Sequence, residues 1–214
     1  RNISMISGIN NTRVQSGAVG KDRLDYAAVK DAITKIGASQ FYCVKPRAGT
    51  ADEILSIIDE YRFKYGIKVV VWDYIQLVEA PDTQYRVSPD QIIGRASTMM
   101  KSRVAEDMGI ASVVIAQLNR DKEAKGVERI GGAYRLAQDC DDFISIIKKS
   151  KKEMQNDGLN MGNRYVVVNK RRGGASDLLF NAYVDDETGG ASLRIVDKAD
   201  PRQLAELYSQ LYAA

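Results

Sequence analysis

Two polar side chains follow directly on runs of apolar, largely β-branched residues. Asp73 follows Val69-Val70-Val71-Trp72, and Gln117 follows the stretch from Ile110 to Ala116. Runs of this kind, each preceded by a glycine (Gly66 and Gly109), read as short strands buried on both faces. In an open α/β sheet, groups at the carboxyl ends of strands face the ligand crevice. A carboxylate there can hold magnesium beside phosphates, usually through water, or it can simply cap the following turn. Gln117 has no proton chemistry to offer. It can hydrogen-bond a γ-phosphate or an attacking water, or it can satisfy neighbouring loop backbone.

Two further groups of residues are suited to anions. Asn169-Lys170-Arg171-Arg172-Gly173-Gly174 places adjacent cations before two glycines at the end of a strand. A strand's period of two puts Lys170 and Arg172 on one face and Arg171 on the other. The rigid fork of arginine suits phosphate oxygens, and glycines allow close approach of another surface. The same residues could form a plain basic hairpin turn or touch nucleic-acid phosphate directly. Gly131-Gly132, between Arg129 and Arg135, is a candidate loop on a phosphate backbone, because glycines expose backbone N–H donors. The basic run Lys148, Lys149, Lys151 and Lys152 reads as a solubilising connection.

The elements that must position these groups follow from periodicity. Residues 1–20 read as a short helix and then a loop. Asp22 to Ile36 carries Leu24, Ala28, Ala32 and Ile36 on one stripe, with Gly37 as C-cap. Gln40 to Val44 reads as a strand. Thr50-Ala51-Asp52-Glu53 is a capping-box pattern opening a helix with Ile54, Ile57, Ile58, Tyr61 and Tyr65 at helical spacing up to Gly66. The Asp73 strand comes next, giving βαβ order and a parallel sheet. After a polar loop (79–87), Ser88-Pro89 opens a long helix whose buried face is Ile92, Ile93, Ala96, Met99, Met100, Val104 and Met108. The Gln117 strand follows it. Residues 121–128 read as a charged, mobile loop. A short helix follows Arg135, then a strand from Phe143 to Ile147. A polar connection (148–163) leads to paired strands at Arg164 to Asn169 and Leu178 to Val184. A last short strand spans Ser192 to Val196, and an amphipathic terminal helix carries Leu204, Leu207, Tyr208 and Leu211.

Composition narrows the chemistry. The 214 residues are 44% hydrophobic and 28% charged, as in an ordinary globular protein, and they contain no histidine. A histidine base and histidine-ligated zinc are therefore excluded. Cys43 and Cys140 stand in apolar surroundings without metal-ligand spacing, which fits a reducing, cytoplasmic compartment. No apolar run approaches a membrane span. A net charge of +3 permits nucleic-acid binding without arguing for it.

Four blocks occur in order: Val70-Val71-Trp72-Asp73-Tyr74-Ile75-Gln76-Leu77, Ala116-Gln117-Leu118-Asn119-Arg120, Gln138-Asp139-Cys140-Asp141 and Lys170-Arg171-Arg172-Gly173-Gly174. Together they resemble the RecA-type motor domain of the DnaB replicative helicase family, from residue 1 to about Val196. The resemblance implies an α/β, RecA-like fold with a mostly parallel sheet flanked by helices and an antiparallel extension. It implies an ATP- and Mg²⁺-dependent helicase forming a hexameric ring on single-stranded DNA, with primase and a helicase loader as candidate partners. Asp73 corresponds to the family's Walker B aspartate and Gln117 to its phosphate-sensing glutamine. Lys170 and Arg172 correspond to the lysine and arginine finger that reach a neighbouring subunit's ATP. The family's DNA-binding loop falls near Arg129, Gly131, Gly132 and Arg135, although its usual Arg-Glu-Ser-Gly pattern is replaced here.

The phosphate loop departs further. Gly20-Lys21 is the nearest approach to G-x-x-x-x-G-K-[ST], but Gln15 replaces the first glycine and Asp22 the hydroxyl residue. The resemblance therefore implies a single motor domain over residues 1–214 whose Walker A segment and catalytic glutamate lie upstream of residue 1. On that reading these residues alone are inactive. Two alternatives share the motifs: a RecA-family recombinase or regulatory ATPase, and a non-enzymatic ring-assembly or DNA-binding module.

Overall fold

The structure, a computed structural model, describes residues 2–21, 23–80, 87–117, 133–185, 192–199 and 201–212. The chain divides into two compact units. One comprises residues 1–43, 144–169 and 173–204, and the other comprises residues 44–143, 170–172 and 205–214.

In the second unit, helix α4 (Ala51–Tyr65) precedes strand β1 (Val69–Asp73). Helix α5 (Pro89–Met99) continues into a π-helical stretch (Met100–Asp107), and strand β2 (Ala111–Ile115) follows. Strands β1 and β2 pair in parallel, with Asp73 opposite Ile115. The sequence explains the ends of these helices. Ser88 and Gln91 complete a capping box at α5, with Pro89 inside the first turn, and Gly66 closes α4 in the left-handed conformation at φ 64°. One face of the strand pair (Val70, Trp72, Val114) packs on Ile54 and Ile58 of α4 and on Met100 and Val104. Ile75, Val78, Ile93 and Ala96 extend this core. Burying each large aliphatic side chain contributes about 1.5–3 kcal/mol.

The expectation that both strands are buried on two faces is corrected. Burial alternates along each strand, and Val69 and Val71 are each 57% exposed, Val113 50% and Ile115 40%. The other unit holds α1 (Asn2–Ser7), α2 (Asn11–Gln15) and α3 (Arg23–Gly37), so the expected loop after the first helix is largely helical. On α3 the buried stripe is Val29 and Ala32, whereas Leu24 is 82% exposed; Gly37 is the last helical residue rather than a left-handed cap. Residues 40–44 form no strand, and Cys43 among them is exposed.

Helix α6 (Ala133–Asp139) leads to strand β3 (Asp142–Lys148), which is followed by α7 (Lys151–Asp157), β4 (Arg164–Arg171), β5 (Leu178–Val184), β6 (Leu193–Lys198) and α8 (Pro201–Tyr212). The four-stranded sheet has the order β3-β4-β5-β6, with β4–β5 and β5–β6 antiparallel. The expected antiparallel strands are present, but among the described residues they form a four-stranded sheet of their own rather than an extension of a mostly parallel one. The polar connection after β3 is not a plain solvated loop. Ser150 and Glu153 form a capping box on α7, and Lys149 is buried. Among the described residues, no helix is long and apolar enough to cross a membrane.

Candidate functional site

Asp73 and Gln117 lie at one edge of the parallel pair, because their strands run in register and end together. Both residues are exposed. Gln76 ties the two strand ends. Its Nε2 donates to the Gln117 carbonyl at 2.9 Å, and its Oε1 accepts from the Gln117 N–H at 3.2 Å. This two-point clasp fixes the backbone at Gln117, and the residue is exposed. Gln76 stood in the sequence block without an assigned role.

A single exposed carboxylate at a strand end suits a cation that keeps most of its waters and binds proteins through one or two carboxylates. Among the described residues, no group of three or more His, Cys, Asp or Glu side chains could cage a metal ion. Such a carboxylate could meet a hydrated Mg²⁺, whose remaining ligands would come from phosphate and solvent.

Lys170 and Arg172 both meet the segment that ends α6. The Lys170 ammonium donates to the carbonyls of Ala137, Gln138 and Cys140 at 2.8, 3.0 and 2.8 Å. These are carbonyls that a helix C-terminus leaves unpaired, at the negative end of its dipole, so a lysine there is doubly favoured. An ammonium has three donors, and all are used. This differs from the expectation that Lys170 reaches outward. Arg172 keeps 73% of its side chain exposed and pairs with Asp141 at 2.9 Å. The strand ends at Arg171, so Arg172 stands in the turn.

Asp141 is the centre of this cluster, and its part was not read from the sequence. Its carboxylate also accepts from Lys101 at 2.9 and 2.8 Å. Hydrogen bonds from Lys101 and then Arg172 hold the Asp141 carboxyl below the usual aspartate range, and the Asp141 bond raises Lys101 correspondingly. Asp139, two residues earlier, accepts from Ser97 and Thr98 at 2.8 and 3.1 Å and stitches α6 to α5. Between them, the Cys140 thiol donates to the Ala137 carbonyl, and burial raises its pKa, which disfavours the reactive thiolate.

Of the candidate DNA-contacting residues, Arg129, Gly131 and Gly132 lie outside the described residues, as does the charged stretch 121–128. Arg135 is on α6. It donates to Thr98 from Nε and Nη2, both at 3.3 Å, and faces Asp139 at 3.5 Å, with 54% of its side chain exposed.

Residues 1–187 match the family described as DnaB-like helicase C terminal domain. The replicative DNA helicase DnaB of Mycoplasma pneumoniae is 30% identical over 112 residues, covering 50% of this chain and 24% of that protein. Two solved structures are similar at 19% identity. One, of a DnaB-like replicative helicase and its interactions with primase, gives a TM-score of 0.68 over 88% of this chain and 45% of that one. The other, described as an ATPase domain, gives 0.70 over 92% and 68%. At this identity the likeness shows the fold, which is α/β and RecA-like. The chain spans about a quarter of the curated relative and about half of the first of these structures.

Proposed function

The chain belongs to the DnaB-like helicase C-terminal domain family, and from that membership we propose that it is the C-terminal part of a replicative helicase motor that hydrolyses ATP to translocate on single-stranded DNA. Residues 1–214 belong on this reading to one motor domain, working as a hexameric ring in the cytoplasm, with primase and a helicase loader as partners.

The reading is supported above all by the placement of Asp73 and Gln117, exposed together where two parallel strands end in register. ATP with Mg²⁺ supplies the transferable phosphoryl group and the charge that the site must stabilise. Asp73 orients the hydrated metal, and Gln117 hydrogen-bonds the γ-phosphate or the attacking water. Arg172 comes from the neighbouring subunit and neutralises charge on the transferring group. Lys170 is the second cation assigned to that site, and within its own chain its ammonium holds the end of α6. Arg129, Gly131, Gly132 and Arg135 contact the phosphates of the single strand.

ATPase measurements on the full-length polypeptide test this. An arginine finger is worth about 10³–10⁵ in rate. Arg172→Ala should remove about 10³-fold of turnover or more while a fluorescent ATP analogue still binds, and Arg171→Ala should be mild. Unchanged turnover in Arg172→Ala would refute the assignment.

A further inference from the structure

Arg172 is held at two points by a single residue. The Asp141 carbonyl accepts the Arg172 backbone N–H at 2.9 Å, and Asp141 Oδ1 accepts from Arg172 Nη1 at 2.9 Å. The first bond fixes where the residue sits, and the second restrains where its guanidinium goes. Asp141 is itself held by Lys101, which reaches both carboxylate oxygens. Lys101 follows Met100, a residue of the packed core that is 2% exposed. Side-chain exposure rises outward along this chain of contacts, from 23% at Lys101 to 48% at Asp141 and 73% at Arg172. A rooted cation thus anchors an acid, and the acid anchors an exposed arginine.

We propose that Asp141 is a positioning residue for phosphoryl transfer: anchored by Lys101, it presents Arg172 to the ATP of the neighbouring subunit. This rests on the reading of Arg172 given above. A guanidinium has five N–H donors, and Asp141 engages one terminal nitrogen, so donors remain for phosphate oxygens. An exposed ion pair is weak enough to yield to phosphate. Asp141 therefore guides Arg172 without sequestering it, and its contribution is orientation rather than binding.

The test uses the full-length polypeptide and steady-state ATPase kinetics, with Arg172→Ala as control. Asp141→Asn keeps the shape and removes the charge. A misplaced catalytic group costs about 10²-fold, so kcat should fall by about that factor while KM for ATP stays within about twofold. Asp141→Glu should recover most of the loss, and Lys101→Met should give an intermediate one. In the Arg172→Ala background, Asp141→Asn should cost nothing more, because the residue acts through Arg172. If Arg172→Ala is impaired but Asp141→Asn is not, the inference is wrong and the finger assignment stands. If Arg172→Ala is itself unimpaired, both fall. An additional loss in the Arg172→Ala background, or a rise in KM that matches the fall in kcat/KM, would make Asp141 structural or substrate-binding and overturn the proposal. Should Asp141→Asn fail to fold by thermal melting, Asp141→Glu and Lys101→Met carry the same kcat-against-KM comparison.

Discussion

Glu53 illustrates how a residue can be placed correctly by its sequence and still act differently. The Thr50 hydroxyl accepts from the Glu53 N–H at 3.3 Å, as a capping box requires. The Glu53 carboxylate, however, accepts from the successive N–H groups of Arg47, Ala48 and Gly49 at 2.8, 2.8 and 2.7 Å. The local pattern reveals a helix start, but not that the preceding loop folds back over it. The Arg47 N–H bond is the main cause that holds the Glu53 carboxyl below its ordinary value. A depressed carboxyl stabilises the fold above the unfolded-state pKa, and the contribution is lost as pH falls through the folded-state value. Glu53→Gln should therefore lower the urea midpoint of the chain at pH 7, and the gap should shrink as the pH is taken down below the unfolded-state value. A gap constant across that range would contradict the assignment. The same contrast holds in the candidate site. The strand-end positions of Asp73 and Gln117 were legible because each follows an apolar run. The contacts that Lys170, Asp141 and Lys101 make were not, because their partners lie 30–40 residues away in sequence.

At the scale of elements, the connection after β3 departs most from its composition. Lys149 donates to Asp157 at 2.7 Å, to the Met161 carbonyl at 3.0 Å and to Asn181 at 2.7 Å, with its ammonium 4.5 Å from the centre of the Tyr165 ring. Asp157 also accepts from Tyr165 and Gln203. This network joins α7, β4, β5 and α8 within one unit, so a lysine-rich run that looked solvated carries a buried charge. Strand alternation ends at Lys148, and the next residue turns inward among partners that no short window contains. Removing one member of a buried pair costs about 3–5 kcal/mol, because its partner is left uncompensated. Lys149→Met should destabilise the chain by about 3 kcal/mol in urea unfolding. Adding Asp157→Asn should cost less than the sum of the single changes. Strict additivity, or a neutral Lys149→Met, would show that the network carries no such charge coupling.

For the whole molecule, the order and class of the elements from α4 to β2 were legible because helix and strand periods are distinct and the turns are marked by Gly66, Gly109 and Ser88-Pro89. The extent of burial was not. Runs of valine and isoleucine record a strand suited to apolar surroundings on both sides, and in the structure Val69, Val71, Val113 and Ile115 remain exposed on one. Residues 40–44 have strand composition but no strand pairing. Strand formation depends on a partner, and composition does not show whether one is present.

The central claim, that Arg172 completes an ATP site formed around Asp73 of another subunit, is tested most directly by mixing. Full-length Arg172→Ala and Asp73→Ala polypeptides, each inactive alone, are combined under conditions where mixed rings are verified by mass, and ATPase activity is measured. Some interfaces in such rings pair an intact Asp73 with an intact Arg172 from the adjacent subunit, so activity should return. If mixed rings form and turnover stays at the level of either variant alone, Arg172 does not act across the interface, and the account of this site fails.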